Sequence, residues 1–302
     1  RVVDARGWET PFDMTLALCQ LQTGGRIGIV VHSSSERELI SVAGRRDGLH
    51  LPTLLGLPGG SPSRVCLDAG HLSTVVATAN EIATPGEQPE LPTRAMVEIV
   101  RRCNLRCPLC PVGNGEATPY PDMGSDTFRH IVDAFGPSLQ SLTLHNYGEP
   151  LLHPQVAAFV RDAKTSGIRR VDLSTNGNHL PQQLARDLVT SGLDVIRFSV
   201  DTADPDAYRR YRRGGDLGRV LAHIRRLAQA RADLGSDTPH IEAQALLMRH
   251  NESHAARFER TLREAGADSV RYKTFNAFMS GEALGDLGKE YLPENARYRR
   301  YA

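Results

Sequence analysis

The sequence predicts an α/β protein, with an open, partial (β/α)6 barrel preceded by a small two-layer α/β sandwich domain. Six strand-like runs alternate with helix-like stretches in the C-terminal two thirds, as in parallel sheets with right-handed crossovers. A proline-rich segment separates this region from a shorter N-terminal region with its own strand-like runs. With 302 residues, 40% of them hydrophobic, the chain is long enough for one large and one small domain.

The N-terminal domain is predicted to span residues 1–83. Its strand-like runs are residues 2–5, 27–32, 50–57 and 64–68. One helix is expected to begin at Pro11, because proline suits the first helical position, and its apolar positions are Met14, Leu16, Leu18 and Leu21. A second helix is expected over residues 35–46. The resulting order β-α-β-α-β-β predicts a two-layer sandwich.

The linker is predicted at residues 84–93, where three prolines and a glycine occur in the stretch T-P-G-E-Q-P-E-L-P. The barrel domain then spans residues 94–302. Its predicted strands are 95–100, 141–146, 170–174, 195–200, 241–248 and 269–275. Its predicted helices lie near 125–135, 153–166, 181–191, 216–234 and 252–265. Six such units are two short of a closed eightfold barrel, in which the chemistry lies at the C-terminal ends of the strands.

Composition excludes several classes of partner. The formal net charge is +1, so no strong field favours nucleic acid or a membrane surface. No apolar run approaches 18 residues, so no segment is expected to span a bilayer. Five cysteines, an odd number, argue against a disulfide framework, and we expect a reducing, cytoplasmic location.

Three of the cysteines lie within eight residues, in the stretch E-I-V-R-R-C-N-L-R-C-P-L-C that ends at Cys110. Cys103, Cys107 and Cys110 follow the first strand of the barrel with the spacing Cys-x3-Cys-x2-Cys. Thiolates are preferred ligands for iron–sulfur clusters and for zinc, but a structural zinc site needs four ligands. Three ligands therefore indicate a metal site with one open position. The alternatives are a zinc site completed by His145 or His153, or three unconnected thiols.

The Cys-x3-Cys-x-hydrophobic-Cys loop, with Leu109 in the hydrophobic position, resembles the signature of the radical S-adenosylmethionine superfamily. The resemblance extends over about residues 94–302. It implies that the three cysteines bind a [4Fe–4S] cluster, whose fourth iron chelates S-adenosylmethionine. It also implies one-electron cleavage of that cofactor, a 5′-deoxyadenosyl radical that abstracts hydrogen from the substrate, and an electron donor such as flavodoxin or ferredoxin.

The second strand is followed by a stretch that resembles the family's Gly-Gly-Glu-Pro motif, with Tyr147 in place of the first glycine. Gly148 and Glu149 match, and the resemblance assigns this turn to the ammonium group of the cofactor, which needs acceptors. The alternative is an ordinary strand-to-helix turn.

Later strand ends supply the remaining cofactor contacts that the resemblance implies. Ser174 and Asn176 follow the third strand and would contact the ribose hydroxyls and the methionine carboxylate. Ser199 ends the fourth strand near the cofactor, while Asp201 would face the substrate. Arg212 lies in a Tyr-x-x-x-Arg-x-Gly-Gly stretch and would pair with the cofactor carboxylate, although its arginine-rich run is also typical of a solvated helix face.

The last two strands add candidates with ordinary alternatives. Leu247 and its neighbours at the end of the fifth strand would cover the adenine ring, or else pack in the core. Lys273 on the sixth strand would point into the barrel mouth as a substrate contact, or else lie on the surface. His145, at the end of the second strand, is a further candidate substrate contact.

Both ends of the chain resemble known modules. Residues 291–301 resemble the lead-in to the cysteine-rich extension of the SPASM and twitch subgroup, but no cysteine follows, so one cluster is expected here and auxiliary clusters stay open. Residues 4–11 resemble the start of the TusA-type sulfur-carrier family. Thr10 stands where that family has its sulfur-carrying cysteine, which implies a docking, recognition or structural module.

The sequence thus predicts a radical S-adenosylmethionine enzyme that acts on a natural-product intermediate such as a sugar, a nucleoside or another small molecule. A maturase of a ribosomal peptide is the alternative within the family. The alternative from another class is a non-catalytic iron–sulfur or zinc scaffold that handles sulfur.

Overall fold

The structure is a computed structural model that describes residues 16–23, 26–33, 38–43, 66–67, 93–115, 117, 121–276 and 290–300. Its described strands form one sheet of eleven, in the order β11-β10-β9-β8-β7-β6-β5-β1-β2-β3-β4. These strands are β1 (Leu16–Thr23), β2 (Arg26–Ser33), β3 (Glu38–Ala43), β4 (Cys66–Leu67), β5 (Arg94–Val97), β6 (Ser141–Thr143), β7 (Arg170–Thr175), β8 (Val195–Ser199), β9 (His240–Leu247), β10 (Ser269–Asn276) and β11 (Arg299–Arg300).

Strands β5 to β10 are the six parallel strands of the predicted partial barrel. Each pairs in parallel with the next one along the chain, so every crossover returns to the neighbouring position. All six predicted strands are confirmed, although β6 ends at Thr143 and not at residue 146. The two-residue strand β11 adds to the far edge beside β10.

Helices connect these strands at the predicted places. They are α1 (Ser125–Phe135), α2 (Val156–Thr165), α3 (Gln182–Thr190), α4 (Pro205–Tyr211), α5 (Leu217–Asp233) and α6 (Ala255–Glu264). Five match the predicted helices, and α4 is an additional short helix. Its start is encoded locally, since the Asp204 side chain accepts hydrogen bonds from two backbone N–H groups and Pro205 occupies the first turn.

The main core lies between the helices and the outer face of the sheet. On α1, residues at helical spacing bury one face, among them Phe128 and Phe135. Phe128 stacks on Phe159 of α2 with ring centroids 4.3 Å apart. Alternate strand residues supply the other half of this core, because successive side chains of a strand point to opposite faces. They include Val171, Leu173, Ile196, Phe198, Ile241 and Ala243, all fully buried.

The inner face of the sheet is polar. Asp172 on β7 pairs with Arg197 on β8, which also pairs with Glu242 on β9 at 3.3 Å. Arg271 on β10 reaches the other oxygen of Glu242 at 2.9 Å. These contacts join four neighbouring strands by alternating charges, so the interior of the barrel is a polar lining and not an apolar core.

The N-terminal strands correct part of the sequence prediction. Both predicted helices are wrong, because Leu16–Thr23 and Glu38–Ala43 are strands of an antiparallel meander that joins β5 through β1. Strand β1 pairs with both β2 and β5, and these long-range hydrogen bonds override the helix pattern read from Leu16, Leu18 and Leu21. The predicted α/β sandwich order and the TusA-type resemblance therefore receive no support from the described strands. Residues 2–11, 50–57 and 84–92 lie outside them.

Candidate active site

The cysteine-containing loop follows β5 and folds back on itself. Cys110 N–H donates to the Cys107 carbonyl at 3.2 Å, and Asn114 N–H donates to the Cys110 carbonyl at 2.8 Å. Gly113 permits this turn, since a Cβ there would lie 2.6 Å from the Cys107 nitrogen. All three cysteines consequently pack in one cluster, whose other members are Leu105, Leu109, Tyr211, Leu246, Met248, Tyr291 and Leu292.

The loop contacts the ends of β6 and β7, as the sequence predicted for a shared site. Asn176, just beyond β7, donates from Nδ2 to the Cys103 sulfur at 3.5 Å and to Asn104 Oδ1 at 2.7 Å. Beyond β6, the Tyr147 carbonyl lies 4.0 Å from the Cys110 sulfur. The three thiols therefore lie at the C-terminal mouth of the barrel.

Gly148 allows the loop after β6 to approach the loop after β5. A Cβ on Gly148 would lie 1.7 Å from the Val100 carbonyl oxygen, which is far inside any contact distance. Buried Glu98 fixes this approach, because its Oε1 accepts hydrogen bonds from Tyr147 N–H at 2.7 Å and Gly148 N–H at 3.0 Å. A backbone approach this close requires glycine, which explains the residue at this position.

Glu149 is buried and its carboxylate is held by the protein itself. It accepts hydrogen bonds from the Thr175 hydroxyl at 2.7 Å, from Asn176 N–H at 2.6 Å and from Leu151 N–H at 3.1 Å. Burial raises its pKa to about 7 in spite of these donors. Glu149 thus fixes the end of β7 and orients Asn176 toward Cys103.

Ser174 and Ser199 lie side by side on the inner face, joined by a residue that the sequence analysis missed. Gln244 on β9 donates from Nε2 to Ser199 Oγ at 2.7 Å and to Ser174 Oγ at 3.1 Å. Gln244 is 6% exposed, and its Oε1 makes no hydrogen bond to a described residue. Its position two residues after Glu242, on the same strand face, was the available signal.

His145 and Lys273 both belong to the barrel lining. Ser174 N–H donates to His145 Nδ1 at 2.9 Å, so the neutral ring has its proton on Nε2. The pKa of His145 is lowered to about 4, mainly by burial, with a smaller contribution from the charges of Arg197 and Lys273. Burial, followed by the charge of Arg197, lowers the pKa of Lys273. Lys273 lies two residues after Arg271 on β10, so it belongs to the same face of the sheet, and it is exposed there.

Asp201 and Arg212 form an ion pair at the edge of the cysteine cluster. Arg212 Nε donates to Asp201 Oδ2 at 2.6 Å, and Leu246 N–H donates to Oδ1 at 2.9 Å. Burial raises the pKa of the Cys107 thiol, and the charge of the nearby Arg212 guanidinium opposes this rise. Arg212 thus differs from the other arginines of its run, because Arg209 and Arg213 are exposed whereas the Arg212 side chain is largely buried.

The leucines of the candidate site differ in their surroundings. Leu109 and Leu246 pack with the three cysteines. Leu247, which the sequence analysis selected for the adenine ring, is 5% exposed and belongs to neither the cysteine cluster nor the main helix-facing core. The neighbour Leu246 lies nearer to the thiols.

The donor set fits an iron–sulfur cluster. Burial raises the pKa of Cys103 to about 11 and raises that of Cys107, so these thiols ionise readily only beside a positive group such as bound iron. In the described ranges, no three His, Cys, Asp or Glu side chains converge as ligands of one metal ion. His153 is engaged at both ring nitrogens, by the Met123 carbonyl and by Gln155 N–H. Thiolates distributed over several irons, as in a cluster, suit this arrangement.

Comparisons with known proteins match the region that contains the cysteine loop. Residues 97–241 match the model of the family described as the radical SAM superfamily. The tungsten-containing aldehyde ferredoxin oxidoreductase cofactor-modifying protein of Pyrococcus furiosus is 31% identical over 177 residues, which cover 58% of this chain and 49% of that protein. The GTP 3′,8-cyclase of Lactiplantibacillus plantarum is 35% identical over 131 residues, covering 42% and 39%. The matches thus span less than half the length of these two relatives.

Among solved structures, Streptococcus suis SuiB bound to S-adenosylmethionine superposes with a TM-score of 0.56. The likeness covers 77% of this chain and 52% of SuiB at 13% sequence identity. At that identity the likeness concerns the fold alone. It confirms the partial barrel as the architecture that surrounds the cysteine loop.

Proposed function

We propose that this chain, which contains a radical SAM superfamily domain at residues 97–241, binds a [4Fe–4S] cluster through Cys103, Cys107 and Cys110 and cleaves S-adenosylmethionine reductively. The observation that supports this most is the position of the three thiols, which face the ends of β6 and β7 at the barrel mouth. When bound, the cluster supplies the electron that splits S-adenosylmethionine into methionine and a 5′-deoxyadenosyl radical.

The polar groups around the loop are suited to the methionine end of the cofactor. Backbone carbonyls of the Gly148 turn accept from its ammonium group, while Glu149 acts through the strand end that it holds. Arg212 has N–H groups beyond the one bound to Asp201, and a guanidinium pairs well with a carboxylate. Asn176 lies against Cys103 and positions the same end of the cofactor.

The nucleoside end of the cofactor lies deeper in the barrel under this proposal. Ser174 and Ser199, bridged by Gln244, offer hydroxyls for the ribose. Leu109, packed beside the cysteines, and Leu247 at the end of β9 provide apolar cover for the adenine ring.

The substrate we propose is a small natural-product intermediate, such as a sugar or a nucleoside, from which the radical abstracts hydrogen. His145, Lys273 and Asp201 are the substrate contacts that the sequence predicts; His145 accepts a hydrogen bond from Ser174 N–H, and Lys273 lies on β10 on the same face as Arg271. Relatives whose names specify a nucleotide cyclase and a cofactor-modifying protein support a small-molecule substrate. The likeness to SuiB concerns the fold and does not favour a peptide.

The electron reaches the cluster from flavodoxin or ferredoxin in the cytoplasm under this proposal. The three cysteines are free thiols in the structure, as a reducing compartment requires of cluster ligands. No described helix is both long and apolar enough to cross a membrane.

The test is anaerobic reconstitution of the purified chain with iron and sulfide. We expect about four irons per chain, from the cluster stoichiometry, and 5′-deoxyadenosine when dithionite and S-adenosylmethionine are added. Cys103→Ala, Cys107→Ala and Cys110→Ala should each abolish 5′-deoxyadenosine, whereas Cys66→Ala, outside the motif, should keep it. A Cys107→Ala protein that still forms 5′-deoxyadenosine would contradict the ligand assignment.

A further inference from the structure

The position of Arg212 beside the cysteine loop follows from the backbone, and Tyr211, the residue before it, packs in one cluster with Cys107. Arg212 is the C-cap residue of α4, and its backbone N–H donates to the Tyr208 carbonyl at 2.8 Å. The next residue accepts from Arg106 N–H, one position before Cys107, also at 2.8 Å. The end of α4 is therefore fastened to the cysteine loop by the backbone, so the guanidinium is close to Cys107 independently of any ligand.

Asp201 holds the guanidinium from the opposite side. Its backbone has φ of 69°, a left-handed conformation that is uncommon outside glycine and enriched in aspartate. Asn251 Nδ2 donates to the Asp201 carbonyl at 3.0 Å, and Leu246 N–H donates to Oδ1. Because these contacts from the end of β9 define the carboxylate position, Oδ2 presents one fixed acceptor to Arg212 Nε.

The result is a buried cation with a defined orientation beside a cluster ligand. The side chains of Asp201 and Arg212 are 3% and 16% exposed, so solvent screens their charges weakly. A guanidinium has five N–H donors in a planar fork, and only Nε is bound to Asp201. The remaining donors can serve the Cys107 sulfur and a cofactor carboxylate at once.

We propose that Asp201 and Arg212 form one positioning unit that raises the reduction potential of the cluster bound at Cys107. This rests on the proposed function, because it requires a cluster at the three cysteines. The reduced cluster has one more negative charge than the oxidised one, so a nearby cation and an N–H···S hydrogen bond stabilise it more. Asp201 acts through Arg212 by fixing the direction of the guanidinium.

The test is a redox titration of the reconstituted full chain, monitored by electron paramagnetic resonance without S-adenosylmethionine. The variants are Arg212→Gln, Arg212→Lys and Asp201→Asn, each with its iron and sulfide content measured. The matched control is Arg210→Gln, on the same helix but exposed and paired with Glu290. Omitting the cofactor separates the effect on the cluster from any effect on carboxylate binding.

We expect Arg212→Gln to lower the ratio of reduced to oxidised cluster about tenfold at a fixed potential, or about 59 mV for one electron. Arg212→Lys should recover part of this loss, since it retains the charge without the fork. Asp201→Asn should also lower the potential, because the guanidinium loses its fixed acceptor. If Asp201 acted only as a nearby negative charge, the same variant would raise the potential and overturn the positioning role.

The outcomes separate this inference from the proposed function. If the wild-type chain binds no cluster on reconstitution, or forms no 5′-deoxyadenosine, the proposed function is wrong. Suppose that the wild-type chain binds the cluster and forms 5′-deoxyadenosine. If the cluster reduction potentials of Arg212→Gln and Arg210→Gln are then equal, only the inference about Asp201 and Arg212 is wrong. Arg212→Gln could also fail to bind a cluster. In that case, cluster binding by Arg212→Lys supports a role of the positive charge at Cys107, and the absence of a cluster in Arg212→Lys overturns that role.

Discussion

Substitution of Gly148 is the most direct test of the site geometry, because the two atoms nearest to a Cβ there belong to the main chain of Val100. An added Cβ would lie 1.7 Å from the Val100 carbonyl oxygen and 2.6 Å from the Val100 carbonyl carbon. Ordinary van der Waals contact begins near 3.4 Å, so the two loops would have to separate to accept a methyl group. No flexible side chain is available to move aside, since both atoms belong to the main chain.

The expected effect of Gly148→Ala is a loss of both stability and cluster binding. Overpacking of this kind costs about 1–3 kcal/mol in free energy of unfolding. At about 2–4 °C per kcal/mol for a domain of this size, the melting temperature should fall measurably. Separation of the loops would also weaken the hydrogen bonds from Tyr147 and Gly148 to Glu98, and so disturb the segment that leads to the cysteines.

The assay compares thermal unfolding and iron content after anaerobic reconstitution. Gly124→Ala is the matched control, because a Cβ at Gly124 meets no atom within 4 Å. The reasoning is refuted if Gly148→Ala matches Gly124→Ala in both melting temperature and iron content.

Two further predictions concern the barrel lining. Arg197→Met removes the cation that two buried carboxylates share and leaves each with one exposed arginine, so it should destabilise the protein by about 1–3 kcal/mol in denaturant unfolding. Arg263→Ala removes an exposed ion pair and should lower the free energy of unfolding by about 0.5 kcal/mol or less. Equal losses in the two variants would contradict the placement of Arg197 in the barrel lining. The folded-state pKa of His145 is below its unfolded value, so its contribution to stability is complete above pH 6.5 and is lost as pH falls toward about 4. His145→Gln should flatten the fall in melting temperature over that range, whereas His130→Gln at an exposed position should not.

The sequence determined the parts of the fold that depend on local pattern. Strands and helices of the barrel follow from apolar runs and helical spacing, and the structure confirms them. The same reasoning failed at Leu16–Thr23, because its apolar residues fit a helix and a strand nearly equally. The two glycines between this run and Arg26 were the available hairpin signal, and the register Thr23↔Arg26 confirms the hairpin pairing.

The cysteine spacing likewise predicted the candidate metal-binding loop, because the three candidate ligands lie within eight residues. The sequence could not show what each neighbour does, since the partners are distant along the chain. Asn176 contacts a cysteine 73 residues away, and Gln244 bridges to a serine 70 residues away. The sequence predicted that Asp201 faces the substrate, and only the structure shows that its carboxylate accepts hydrogen bonds from Arg212 Nε and Leu246 N–H.

The difference between what the sequence predicts and what only the structure shows has a physical cause. Residue types and short spacings are properties of the chain itself, and they define which chemistry the loop supports. Hydrogen-bond pairing between groups far apart is decided only when the parallel strands bring their C-terminal ends together. The sequence by itself therefore determined three closely spaced cysteines and a barrel to hold them, and the tertiary structure decided which cation, amide and carboxylate surround them.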